Sequence, residues 1–340
     1  MNYLLLAIPL AVLAESLGWG PLWTFVFAAA GMIPLAGLLG SATEALAGHM
    51  GPRLGGLLNA TMGNAAELII TIFAIKEGLL EVVKASITGS ILGNILLVLG
   101  TSFIVGGVKH GKQHFERTEA GHKATLLLLA LIALGIPSLF GHAIDEIHHA
   151  NVESLSLSTA VVMMAIYILW LVYTMSNGDS TRHPPAEEEW SVKTAIAVLI
   201  VATVGLAYLS EMLVGTLEPV LEIIGWTEFF VGVIIIPILG NVAEHFVAIQ
   251  VARDDLMDLS LEIALGSSLQ IALFVAPLLV FISLLMGHPL TLSFDSFELS
   301  ALGAGAFIAG MVAQDGESTW LEGAQLVAVY LILALAFFFL

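Results

Sequence analysis

The chain has 340 residues, of which 58% are hydrophobic and only 11% charged, with no cysteine and a formal charge of −18. So little polar residue cannot cover a soluble domain of this size. The lack of cysteine excludes disulfides and thiolate metal sites, and the acidic balance excludes nucleic acid as a partner.

Apolar stretches of about 20 residues, long enough to cross a hydrocarbon core of roughly 30 Å, recur from end to end. They lack the alternation of a barrel, so they read as helices. The first, Leu4 to Leu17, has neither a basic leader nor a small-residue cleavage site and reads as a retained span rather than a signal peptide. In chain order the spans cover residues 3–17, 21–47, 53–75, 79–106, 122–142, 153–177, 192–217, 227–252, 256–286, 296–314 and 320–340. The expected fold is all-α, a polytopic membrane protein with about eleven transmembrane helices. One polar segment, residues 179–191, holds Pro184-Pro185 and Glu187 to Glu189 and reads as a solvated acidic linker between two halves.

Counting spans from the N-terminus places Arg53, Lys109, Lys112, Arg117, Lys123, Arg182, Lys193 and Arg253 on one face and only Lys76 and Lys84 on the other. The positive-inside rule makes the first face cytoplasmic, with the N-terminus inside and the C-terminus outside.

The chain repeats itself. Residues 63–92, GNAAELIITIFAIKEGLLEVVKASITGSIL, align without a gap to residues 240–269, GNVAEHFVAIQVARDDLMDLSLEIALGSSL. Upstream, Glu44-x-Leu46-x-Gly48-x-x-x-Pro52 resembles Glu211-x-Leu213-x-Gly215-x-x-x-Pro219. The copies enter the membrane in opposite directions, because an odd number of spans separates them. That is the plan of a secondary transporter with inverted-topology repeats and a midplane site. It divides the chain into an extra helix (1–18), a first five-helix half (19–178, repeat 43–100), the linker, and a second half (192–340, repeat 210–277).

The shared positions are acidic and polar, which lipid does not favour. Glu67 and Glu244 lie inside spans, and Asn64 and Asn241, three residues earlier, share their helical faces. Gly63, Gly240 and Pro237 can break the helices and free backbone carbonyls. On the following spans Ser90, Ser267, Ser268 and Gln270 add oxygen donors, as does Asn94 on weaker grounds; interhelical bonding is the alternative role for each. Two acids with amide and hydroxyl oxygens make a cage for a hard cation such as Ca2+, whereas Zn or Cu would want His or Cys. Glu44 and Glu211 are candidate acids of the cation access paths, with solvation of helix ends as the alternative. His245 should face away from its neighbour Glu244 and pack. The histidines at 142, 148 and 149, and at 110, 114 and 122, fall in loops or at membrane edges.

With GNxAEL and GNxAEH each followed by a GS-containing helix, the chain resembles the cation/proton exchanger (CAX) family of the Ca2+/cation antiporter superfamily. The resemblance implies a Ca2+/H+ antiporter rather than an enzyme, with no cofactor and with Ca2+ and H+ as cargo. Short loops and the lack of tails point to a prokaryotic cell membrane. The resemblance also implies Glu67 and Glu244 as central ligands with Asn64 and Asn241 beside them, and it places Gln270 in the second-repeat GSSxQ run. A Na+-coupled exchanger of the same superfamily is the nearest alternative. A membrane enzyme is the remote one, since there is no HExxH and no histidine placed to activate Ser267. A channel would conduct without counter-transport.

Overall fold

The computed structural model describes residues 2–148, 152–177 and 190–339, so the acidic run Glu187–Glu189 and His149 lie outside the described residues. With the backbone bonds of each span closed within it, the chain is helical almost throughout, as lipid requires. The helices are α1 (Ala7–Ser16), α2 (Pro21–Met62), α3 (Ala65–Lys76), α4 (Leu80–Leu92), α5 (Leu99–His110), α6 (Arg117–His148) and α7 (Val152–Asn177). The second half contributes α8 (Val192–Gly215), α9 (Leu217–Ile224), α10 (Glu228–Phe230), α11 (Ile236–Arg253), α12 (Met257–Gln270), α13 (Ala276–Met286), α14 (Ser296–Val312) and α15 (Trp320–Phe339).

Among the described residues, eight helices are long and apolar enough to cross a membrane, and Tyr3–Ser16 and Ser296–Val312 are shorter apolar helices. The segment from residue 52 to residue 76 adds an interrupted crossing, and together these make the eleven spans expected from hydropathy. The protein is an all-α polytopic membrane protein. Its only strands among the described residues are β1 (Gln113–His114) and β2 (Glu317–Ser318), paired antiparallel. They tie the loop after α5 to the loop before α15.

The loop contacts respect the alternation of faces. Lys109 and His110 both donate to the Arg253 carbonyl at 2.8 Å, and Lys112 pairs with Glu317. On the opposite face Lys76 pairs with Glu211 at 2.8 Å and Lys84 reaches the Ser293 carbonyl at 3.0 Å. Among the described residues, no such contact joins residues assigned to different faces.

Where the helices depart from regularity, the sequence gives the reason. α2 bends at Gly51, whose φ of 78° suits glycine, just before Pro52. The chain leaves the helix again at Gly63-Asn64, where Asn64 has φ −95° and ψ 19°, and α3 starts afresh. π-helical turns occupy Val231–Ile235 and Ile271–Val275, each just before a proline, Pro237 and Pro277. Proline has no N–H for the carbonyl four residues back, and the wider turn absorbs the mismatch. A third π turn, Gly93–Val98, joins α4 to α5 at the position in the first repeat that corresponds to Ile271–Val275.

One expectation is corrected. Gly240 does not break its helix: α11 runs unbroken from Ile236 to Arg253, and the irregularity of the second repeat lies upstream of Pro237. Gly240 is needed for closeness instead, because a Cβ there would stand 3.1 Å from the Glu67 Cβ. Gly63, by contrast, does sit at a helix end.

Candidate functional site

Helices α3, α4, α11 and α12 carry the two repeat motifs and bring them together deep in the bundle. Glu67 lies in the first turn of α3, fully buried. Ser90, on α4, donates its hydroxyl to Glu67 Oε1. Asn241, from the other repeat, donates its amide to Glu67 Oε2 at 3.4 Å and to Ser90 Oγ at 3.1 Å.

The mirror-related cluster brings together the matching residues with a different bonding pattern. Asn64 donates to Gln270 Oε1 at 2.8 Å and accepts from the Ser267 hydroxyl at 3.2 Å. Glu244 lies beside Ser267. A Cβ on Gly63 would stand 2.8 Å from Glu244 Oε1, so that carboxylate lies against the break in the first repeat. Each repeat's asparagine thus serves the other repeat's hydroxyl, and each repeat's glycine faces the other repeat's acid. The two carboxylates are within electrostatic reach of one another.

The acids are not equivalent. Glu67 sits at a helix N-terminus, where the backbone dipole favours negative charge, and is sealed from solvent. Glu244 sits in mid-helix and is partly exposed, and Glu44, exposed on α2, is the outside charge that acts on it. Glu211 is held instead by Lys76 on the far face.

Two buried oxygens in the centre, Glu244 Oε2 and Asn241 Oδ1, have no hydrogen-bond partner. Oxygens are rarely left so, and a pair of them beside two carboxylates suits a cation. No group of three His, Cys, Asp or Glu side chains converges among the described residues. A cation here would therefore rest on two carboxylates helped by amide and hydroxyl oxygens.

The remaining candidates stand further out. Ser268 bonds the Ala264 carbonyl within its own helix. Asn94, in a π turn, accepts from His245 Nε2 through its Oδ1 at 3.1 Å, so His245 is tied to α4's extension and not to the carboxylates. That pairing had no signal in the sequence, because the repeat partner of Asn94 is Ile271 and π turns without proline leave no mark. His110 caps α11, His114 lies 3.7 Å from Glu317, and His122 is exposed. The side chains of His142 and His148 lie outside the described residues.

The sequence model of the sodium/calcium exchanger protein family matches residues 20–176 and 194–339. The chain belongs to that family. Within it, this member is 43% identical to a Ca(2+)/H(+) antiporter of Synechocystis sp., over 99% of its own length and 96% of that protein's. It is 44% identical to the Ca(2+)/H(+) antiporter ChaA of Bacillus subtilis, covering 98% of itself and 97% of that chain. The solved structure of native YfkE superposes with a TM-score of 0.89 at 42% identity, covering 100% and 99% of the two chains. The crystal structure of the H+/Ca2+ exchanger CAX shares the fold, with a TM-score of 0.74 at 15% identity over 99% and 92% of the chains.

Proposed function

We infer that this protein is a secondary antiporter that exchanges Ca2+ for protons by alternating access, with Glu67 and Glu244 as the shared site for both. It is a transporter and not an enzyme. The observation that carries the reading is the crossed centre: two carboxylates from inverted repeats, within reach of one another, among oxygen donors only. The full-length likeness to chains named Ca(2+)/H(+) antiporters supports the choice of protons over Na+ as the coupling ion.

Charge balance supplies the mechanism. Two ionised carboxylates in a low-dielectric interior repel each other and lack solvent, so the bare centre is costly. One Ca2+ neutralises both, and two protons neutralise both. A centre that crosses readily only when neutralised moves one cargo or the other, which gives exchange without leak. The minimum is then about two protons per Ca2+ from charge alone, and any third needs another titrating group.

Asn64, Asn241, Ser90, Ser267 and Gln270 complete the oxygen shell around the ion. Glu44 draws cations toward Glu244 along the access path of the face that holds most Lys and Arg, and Glu211 does so on the opposite face in the other state. That first face is the cytoplasm, with the N-terminus inside and the C-terminus outside, in a prokaryotic cell membrane. The halves 19–178 and 192–340 move against each other about the centre, joined by the linker at 179–191. The test is Ca2+ uptake into proteoliposomes under an imposed pH gradient. Uptake that follows the pH gradient and ignores Na+ supports the reading; uptake that requires a Na+ gradient overturns the proton half of it.

A further inference from the structure

Away from the centre, one groove gathers basic and polar side chains that exchange does not use. It runs between the start of α6 and the end of α14, which pack against each other. Arg117, Thr118, His122 and Thr125 line it from α6, and Gln314, just past α14, lines the opposite wall. All five are exposed. A Cβ on Gly316 would stand 3.4 Å from the Arg117 Cβ, and one on Gly135 would stand 3.5 Å from Leu299. The two helices therefore run antiparallel, one from each half of the chain.

The groove is basic although the chain carries a formal charge of −18. Neighbouring lysines are matched: Lys109 lies 3.7 Å from Asp254, Lys112 pairs with Glu317, and Lys123 lies 2.8 Å from Glu119. No acid pairs with Arg117 or His122 among the described residues. The nearby acids serve other contacts. Glu116 and Glu119 line a separate pocket against α12, and Asp315 accepts the Glu317 amide at 3.1 Å.

Further along, the same two strips turn apolar. Thr118, His122 and Thr125 continue into Leu129 and Ile132, at steps of three and four residues that keep one helical face. Gln314 continues into Met311 and Phe307 at the same steps. Leu129, Ile132, Met311 and Phe307 are all exposed. Both walls thus change from polar to apolar at one level, as spans do where they leave the hydrocarbon core.

We propose that this groove binds the headgroup of an anionic phospholipid, with an acyl chain lying along the apolar seam. Arginine matches a phosphate with two parallel N–H donors, and the His122, Thr118 and Gln314 side chains add further donors. Basic pockets between spans on the cytoplasmic side take such headgroups, and Arg117 lies on the face that holds most Lys and Arg. A lipid seated there touches both halves of the chain and stabilises their packing. The inference goes beyond the antiport reading and does not depend on it.

The test titrates detergent-purified protein with phosphatidylglycerol, with phosphatidylcholine and with soluble glycerol phosphate. Bound lipid is counted by native mass spectrometry and the unfolding midpoint is followed. Phosphatidylglycerol should be retained and should raise the midpoint by several degrees, and the other two should do neither. Arg117→Gln should weaken its retention several-fold, and Gln314→Glu should do so from the opposite wall. Both side chains are exposed, so neither change disturbs the core. Lys193→Ala, which removes a lysine of the same face outside the groove, should leave retention unchanged. Equal retention of phosphatidylcholine, a full effect of glycerol phosphate alone, or an equal loss in Lys193→Ala overturns the proposal. So does undiminished retention in Arg117→Gln or Gln314→Glu. No Ca2+ or pH gradient enters these measurements, so their outcome is separate from that of the exchange assay.

Discussion

Asn241, on the second repeat, hydrogen-bonds Glu67 on the first, across 174 residues of chain. It also donates to Ser90, which donates to the same carboxylate. Neither repeat therefore builds the proposed ion site alone. Removing Asn241 should loosen Glu67 and withdraw one oxygen donor. A hydrogen bond to a charged group is worth about 1.5–3 kcal/mol, and 1.4 kcal/mol is a factor of 10 in an equilibrium constant. Asn241→Ala should thus weaken Ca2+ affinity by roughly tenfold or more, read by titration of Ca2+-dependent exchange, with the thermal unfolding midpoint in detergent little changed.

Gly240 fits against Glu67 without a side chain. In Gly240→Ala the new methyl would stand 3.1 Å from the Glu67 Cβ, so α3 or α11 must shift by a few tenths of an ångström. Overpacking of this kind costs about 1–3 kcal/mol. The expected outcome is a lower melting temperature together with weaker Ca2+ affinity. At Gly63 two atoms stand in the way: the free end of Glu244, 2.8 Å off, which can swing aside, and the Asn59 backbone oxygen, 3.0 Å off, which cannot. Gly63→Ala should therefore lower the melting temperature as well as disturb exchange.

Glu298 is a buried acid with a structural task. It closes a capping box with Asp295 at the start of α14, accepting from the Asp295 amide at 2.8 Å and from the Thr88 hydroxyl at 2.9 Å. Glu298→Ala should destabilise the protein by about 1–2 kcal/mol. Glu298→Gln, which keeps an acceptor oxygen, should cost less. Thermal unfolding in detergent measures the difference.

The ladder between β1 and β2 carries a pH-dependent contact outside the membrane. The Lys112 ammonium holds the Glu317 carboxyl below its ordinary value of 4.5, and Glu317 raises Lys112. With a lowered folded value, the Glu317 contribution is fully present above the ordinary carboxylate value. It is lost as pH falls through the lowered one. Both groups are well exposed, so the effect is small and screened by salt. Comparing melting temperatures of the unsubstituted protein and Lys112→Ala should show a slight difference at neutral pH that closes below the carboxylate range and shrinks in high salt.

Sequence patterning carried most of the architecture because lipid leaves few choices. Hydropathy located the spans, and lysine and arginine sorted the loops into two faces that the contacts of Lys109, Lys112 and Lys76 respect. The repeat marked the residues that meet at the centre, since polar groups kept in pairs inside a membrane need a common reason. Helix geometry was less legible. A glycine can mark a break, as at Gly63, or a close contact, as at Gly240, and nothing local separates the two. The π turns before Pro237 and Pro277 follow from the missing N–H, whereas the turn at Gly93–Val98, and with it the Asn94–His245 contact, depends on packing from elsewhere in the chain. Pairing of Glu211 with Lys76 likewise depends on how α3 packs against α8, which nothing near either residue in the sequence reveals.

Ca2+ and proton fluxes measured together in proteoliposomes holding Glu67→Gln or Glu244→Gln bear most directly on the shared centre. Glutamine keeps the size and hydrogen bonding of each side chain but removes one charge, so neither Ca2+ nor the proton pair is matched. Both fluxes should fall to the level of empty vesicles in each variant while the proteins keep their melting temperatures. Coupled flux near that of the unsubstituted protein in either variant would contradict a single centre serving both ions.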